Sequence, residues 1–122
     1  MKCVGRGGRH QLVESETKAK RGTIQAWRDR VAVAGRKIAQ ANGGPLTGAV
    51  AVDIRFYLAR PKTITRAVPH VYPDIDKLAR TVLDGLTDGG CWGDDGQVTE
   101  LTVSKAYAVT RPPGCELHVT QL

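Results

Sequence analysis

From Val50 to Leu58 every second residue is aliphatic or aromatic: Val50, Val52, Ile54, Phe56 and Leu58 share one side of a two-residue repeat. That alternation predicts a strand over 49–58. Upstream the period changes to steps of three and four, with Ile24, Trp27, Val31, Ala34 and Ile38 on one stripe. A helix is therefore predicted from Thr23, as N-cap, to about Ala41, with Arg28, Arg36 and Lys37 on its other face and Asn42-Gly43-Gly44-Pro45 as its stop. A second helix is predicted from Asp76 to about Asp88, burying Leu78, Val82, Leu83 and Leu86 and ending at Gly89-Gly90. Residues 99–109 and 116–121 alternate as two further strands, and Arg111-Pro112-Pro113-Gly114 between them predicts a hairpin. Residues 1–22 hold few large apolar side chains and are expected to form a basic, mobile arm. The order helix, strand, helix, strand, strand predicts an α+β fold, a small mixed sheet packed against two helices.

A chain of 122 residues forms one domain with its own core. Cys3, Cys91 and Cys115 are odd in number and widely spaced, which supports neither a disulfide framework nor a zinc site. No apolar run approaches the roughly 20 residues of a membrane span, and the first residues lack the apolar core of a signal peptide. A cytoplasmic protein with reduced thiols, no membrane partner and no nucleotide cofactor is expected; the G-x-x-x-x-G-K-[ST], G-x-G-x-x-G and G-x-S-x-G patterns are absent.

Charge divides the chain. Residues 1–72 carry 14 Lys and Arg against 4 Asp and Glu, a net +10, whereas residues 73–122 carry 4 against 8, a net −4. The first part is suited to a polyanion. Arg6, Arg9, Lys18, Lys20 and Arg21 of the arm, with Arg28, Arg36, Lys37, Lys62 and Arg66, are the candidates for holding phosphate backbones without reading sequence.

The acidic part is concentrated in two short stretches, Asp74-Ile75-Asp76 before the second helix and Asp94-Asp95 after it. Carboxylate oxygens are the hard ligands that Mg²⁺ and Mn²⁺ prefer. On extended chain Asp74 and Asp76 would point the same way, about 6 to 7 Å apart. Should a strand return beside the helix start, Asp94 or Asp95 would complete the site, leaving room for two ions about 4 Å apart. Taken singly, each stretch also suits a structural role, an N-cap and an ordinary turn. The spacing around Asp74 does not fit an EF-hand. His10, His70 and His118 are read as bystanders, and Trp27 and Trp92 as core, with Trp92 able to brace the Asp94-Asp95 turn.

Asp74-Ile75-Asp76, Leu83-Asp84-Gly85-Leu86, Trp92, Asp94-Asp95 and Gln97-Val98 together resemble, without a gap, the D-x-D-N-x-x-K-x-x-x-D-x-L…W-x-D-D-x-Q-V signature of RusA-type Holliday junction resolvases, common in phages and prophages. The resemblance implies a homodimeric, Mg²⁺-dependent endonuclease acting on four-way branched DNA by paired nicks, with catalytic and metal-binding roles for Asp74, Asp76 and Asp95 and a neighbouring role for Asp94. Two positions depart from it. Lys77 stands where the family has Asn, and Arg80 where it has its catalytic Lys. Arg80 keeps a charge for the scissile phosphate but cannot transfer a proton, and Lys77 points about 100° away on a helix. The family also opens with an apolar strand, so an upstream strand is expected to be missing from this start. The rival is a basic, non-catalytic protein that binds branched DNA; an RNA-binding accessory protein is a third.

Overall fold

In a computed structural model, residues 8–14 and 23–122 are described. Strand β1 (Gly8–Glu14) is followed by helix α1 (Thr23–Asn42), β2 (Val50–Leu58), α2 (Ile75–Asp88), a 3₁₀ turn at Asp95–Gln97, β3 (Val98–Tyr107) and β4 (Gly114–Gln121). The strands form one mixed sheet in the order β1-β4-β2-β3; β3 runs parallel to β2, and β4 runs antiparallel to both β2 and β1. The expected α+β architecture is the one observed.

The inward side of β2 holds Val50, Val52, Ile54 and Phe56, all buried. Its neighbour β4 adds Cys115, Leu117 and Val119 to the same face. Both helices cover this face, α1 through Val31, Ala34 and Ile38 and α2 through Val82 and Leu86, with Trp92 closing the end of the core. The opposite face presents Asp53, Arg55, Tyr57, Glu116 and His118. Such alternation is what a sheet with one solvated face requires.

The helices touch closely because glycines stand where they cross. A Cβ on Gly85 would lie 2.8 Å from the Cβ of Val31 and 2.9 Å from the Arg28 carbonyl oxygen. One on Gly89 would lie 2.1 Å from the Ala32 oxygen. The buried stripe of α2 is accordingly Ala79, Val82, Gly85 and Leu86, whereas Leu78 and Leu83 flank it half-buried. On α1, Ile24 is 70% exposed, so the working stripe begins further along, at Trp27 and Val31.

Two expectations are corrected. Residues 8–14 are not part of a free arm: they form the edge strand β1, paired residue for residue with β4 from Gly8↔Thr120 to Glu14↔Gly114. The remainder of the arm lies outside the described residues. Nor do β3 and β4 form a hairpin, because β2 lies between them and takes one on each edge. The connection through Pro112-Pro113 crosses the end of β2, spanning two strand spacings, roughly 10 Å.

Candidate functional site

The segment before α2 is held from below by β3. Lys105 Nζ donates to the carbonyl oxygens of Val71, at 2.6 Å, and Pro73, at 2.7 Å. Lys105 stands opposite Phe56 near the C-terminal end of β2, so this clamp fixes the start of α2 at that end of the sheet. The Tyr72-Pro73 peptide is cis. Asp74, not Asp76, is the N-cap residue, with an extended backbone (φ −71°, ψ 138°) and its carbonyl accepting the Leu78 N–H at 3.1 Å. Its carboxylate makes no capping hydrogen bond. Asp76 lies inside the first turn, so the two acids do not share the extended geometry expected of them. Both are exposed at the N-terminal, positive end of the helix dipole. Arg80 follows Asp76 by one turn on the same exposed flank, and Lys77 points elsewhere. Asp84 pairs with Arg28 at 3.7 Å instead of with Arg80.

The second acidic stretch is built as a rigid turn. Asp94 accepts the Gly96 N–H at 2.9 Å, and the Gln97 side-chain oxygen accepts the N–H groups of Gly93 (3.0 Å) and Asp94 (3.2 Å), a capping box. The amide nitrogen of Gln97 donates to the Leu46 and Gly48 carbonyls, tying the turn to the approach to β2. Trp92 braces the preceding residues, its Nε1–H donating to the Thr87 hydroxyl at 2.8 Å. Asp94 thus spends one oxygen on structure, and Asp95 stands exposed beside it.

These two stretches lie at opposite ends of α2. Because β3 is parallel to β2 and α2 crosses back between them, β3 begins where α2 ends. The turn sits by Leu46 and Gly48, before β2, whereas Asp74 sits near Phe56, towards its end. The 14 residues of α2, at about 1.5 Å each, span about 20 Å. The expected return of a strand beside the helix start therefore does not occur. Among the described residues no group of three or more His, Cys, Asp and Glu side chains is placed to hold a metal ion.

The free carboxylates nevertheless form a set. Asp84 and Asp88 are engaged by Arg28, Asp29 by Gln25, Asp53 by Arg55, Asp94 by its turn, and Glu116 by His10, Tyr57 and Arg111. Among the described acids, Asp74, Asp76, Asp95 and Glu100 have no side-chain partner. Hard, uncommitted oxygens suit a divalent cation chemically, but one chain alone does not bring three of them together.

The basic candidates fare differently. Arg28 is fork-paired with Asp88, Nε to Oδ2 at 2.6 Å and one terminal nitrogen to Oδ1 at 3.0 Å, which raises its own pKa and lowers that of Asp88. Arg9 bonds the Gly8 carbonyl at 3.1 Å and reaches the Ala41 carbonyl at 3.5 Å, at the negative end of α1. Arg66 donates to the Tyr107 hydroxyl at 3.0 Å, and Arg60 lies 5.7 Å from the same ring's centre. Arg36, Lys37 and Lys62 are exposed. Arg6, Lys18, Lys20 and Arg21 lie outside the described residues. Lys105 was absent from the sequence-based candidates, since a single Lys in an alternating strand carries no signal of its own.

On the far face, His10 meets Glu116 at 2.7 Å, and this contact, aided by Tyr57 and Arg111, holds the Glu116 carboxyl below its ordinary range. Burial pushes the thiols of Cys91 and Cys115 up to about 12, so neither is a nucleophile at neutral pH.

A family model described as Endodeoxyribonuclease RusA matches residues 5–120, nearly the whole chain. Comparison with curated proteins returned no match.

Proposed function

The chain belongs to the endodeoxyribonuclease RusA family, and from that premise we propose that it is a Mg²⁺-dependent, homodimeric resolvase that makes paired, symmetric nicks in four-way DNA junctions. Its place of action would be the cytoplasm of a bacterial host, encoded by a phage or prophage. No described helix is long and apolar enough to cross a membrane.

The observation that carries the reading is the distribution of unspent charge. In a chain of net charge +6, the carboxylates of Asp74, Asp76 and Asp95 are left without protein partners, while most other described acids are neutralised. Exposed carboxylates with no protein partner keep their hard oxygens available to a divalent cation. A bound Mg²⁺, or Mn²⁺ in its place, would stabilise the charge that develops on the phosphate. Arg80, one turn beyond Asp76, would hold a non-bridging phosphate oxygen through its planar fork; a guanidinium stays protonated and donates no proton to the leaving group. Lys62, Arg36 and Lys37 supply backbone contacts that position the duplex arms.

Cleavage of a labelled mobile four-way junction with Mg²⁺, set beside linear duplex and beside Asp76→Asn, tests this. Symmetric nicks that disappear in the variant support the resolvase. Tight junction binding with no nicking by the native chain would instead support a non-catalytic binder of branched DNA.

A further inference from the structure

We propose that Tyr72 is a stacking post for a nucleobase whose own stack is broken beside the cut phosphate. The inference rests on the resolvase reading and adds to its site a residue that touches a base of the substrate.

Tyr72 is 82% exposed, the most exposed large apolar or aromatic side chain among the described residues. Its hydroxyl has no partner there. Its backbone, in contrast, is pinned from both sides: Lys105 Nζ holds the carbonyl oxygen of Val71 before it at 2.6 Å and that of Pro73 after it at 2.7 Å. Any backbone movement that tucked the ring against the protein would break these charge-assisted bonds. The fold therefore keeps an aromatic face in water on a rigid mount, with Val71 and Ile75 exposed beside it.

The charge around the ring points to its occupant. Residues 59–73, which lead from β2 to α2, hold Arg60, Lys62 and Arg66 and no Asp or Glu. An aromatic ring set among cations suits a nucleic acid, whose phosphates meet the cations and whose base meets the ring. Position narrows the contact further. Asp74 follows Tyr72 by two residues, within about 7 Å along the chain, so the ring and the candidate catalytic carboxylate would meet neighbouring parts of one strand. Inside a duplex the faces of a base are covered by its neighbours, so the ring can take only a base that has left the stack, as a branch point allows. Every base has such a face, so the contact fixes place without reading sequence. The base exchanges one stacking neighbour for another. Junction affinity therefore changes little, and the effect falls on how the phosphate is held over Asp74 and Asp76.

The test joins a photochemical map to a rate. Asp76→Asn protein, in which cutting is blocked, is irradiated on junctions carrying 5-iodouracil at each place in turn around the crossover. Iodouracil stacked on an aromatic ring crosslinks to it, and the adduct should fall on Tyr72 from a nucleotide flanking the cut. In single-turnover nicking at saturating protein, Tyr72→Ala and Tyr72→Leu should be about 10- to 100-fold slower than the native chain, and Tyr72→Phe within about twofold of it. An abasic nucleotide at the mapped place should slow the native chain to the level of Tyr72→Ala and leave that variant unchanged. The inference fails, with the resolvase reading intact, if the native chain nicks and no adduct forms on Tyr72, or if Tyr72→Leu nicks at the native rate. It fails equally if Tyr72→Ala sediments as a smaller particle than the native chain, which would give the ring to a contact between copies. A native chain that neither binds nor nicks the junction overturns both.

Discussion

The ammonium of Lys105 donates to the carbonyl oxygen of Pro73 at 2.7 Å, so a strand residue near the end of β3 sets the position of the residue that precedes Asp74. The second bond, to Val71 at 2.6 Å, leaves one N–H of the three for a further acceptor.

Lys105→Met should therefore lower nicking by about 10- to 100-fold, the range seen when groups that orient a ligating side chain are removed. Junction affinity should change by less than about threefold. Single-turnover rates set against binding isotherms check the split; an equal loss in both would mean that Lys105 serves only to hold DNA.

Gly85→Ala and Gly89→Ala should both destabilise the fold. At Gly85 the added carbon meets Val31 and a backbone oxygen at 2.8 and 2.9 Å, and at Gly89 it meets the Ala32 oxygen at 2.1 Å. Overpacking of this kind costs about 1 to 3 kcal/mol, partly offset by the better helix propensity of Ala. Gly89→Ala should cost more, since a carbonyl within α1 cannot rotate aside. Urea unfolding midpoints give the order directly.

Arg28 and Lys62 should separate in salt dependence. Arg28 spends its fork on Asp88, whereas Lys62 is exposed. Lys62→Gln should reduce the slope of log K against log salt by up to about 0.9 for junction binding, and Arg28→Gln should leave it unchanged. A reduced slope for Arg28→Gln would show that the ion pair opens on DNA.

Glu116 ties stability to pH. Its carboxyl is held low, first by the hydrogen bond to His10, so the folded protein binds this proton less readily than the unfolded chain. The contribution is complete above the ordinary value of 4.5 and is lost as the pH falls through the folded value. Glu116→Gln should thus be less stable than the native protein at pH ~7, with the difference shrinking on acidification. Denaturant midpoints across that range check the sign.

Strand β2 and both helices are legible because their apolar residues repeat with a single period over a whole element. Strand β1 is not. Gly8, Arg9, His10 and Gln11 carry no alternation, Leu12 faces solvent at 63%, and Val13 alone is buried. Its conformation comes from β4, more than 100 positions away at Gly8↔Thr120. The hairpin expectation failed for a related reason: turn residues at 111–114 announce a reversal but cannot say whether the next strand pairs with the last one or passes over its neighbour. For the site, the order of acids along the chain singles out Asp74, Asp76 and Asp95, and the structure leaves all three exposed without a side-chain partner. Closeness in sequence misled about closeness in space, because a helix of 14 residues stands between them and the parallel pairing of β3 makes the turn open at its far end.

The pairing of β1 with β4 also orders events during synthesis. Ribosomes add about 5 to 20 residues per second, so β1 leaves the tunnel first and waits through the making of both helices, β2 and β3 for the strand that will hold it. Until Gly114–Gln121 emerges, β2 lacks its neighbour on one side and β1 has no ladder at all. A nascent chain stopped short of β4 cannot close its sheet. Among the described strands, the one made last is the one that joins β1 to β2.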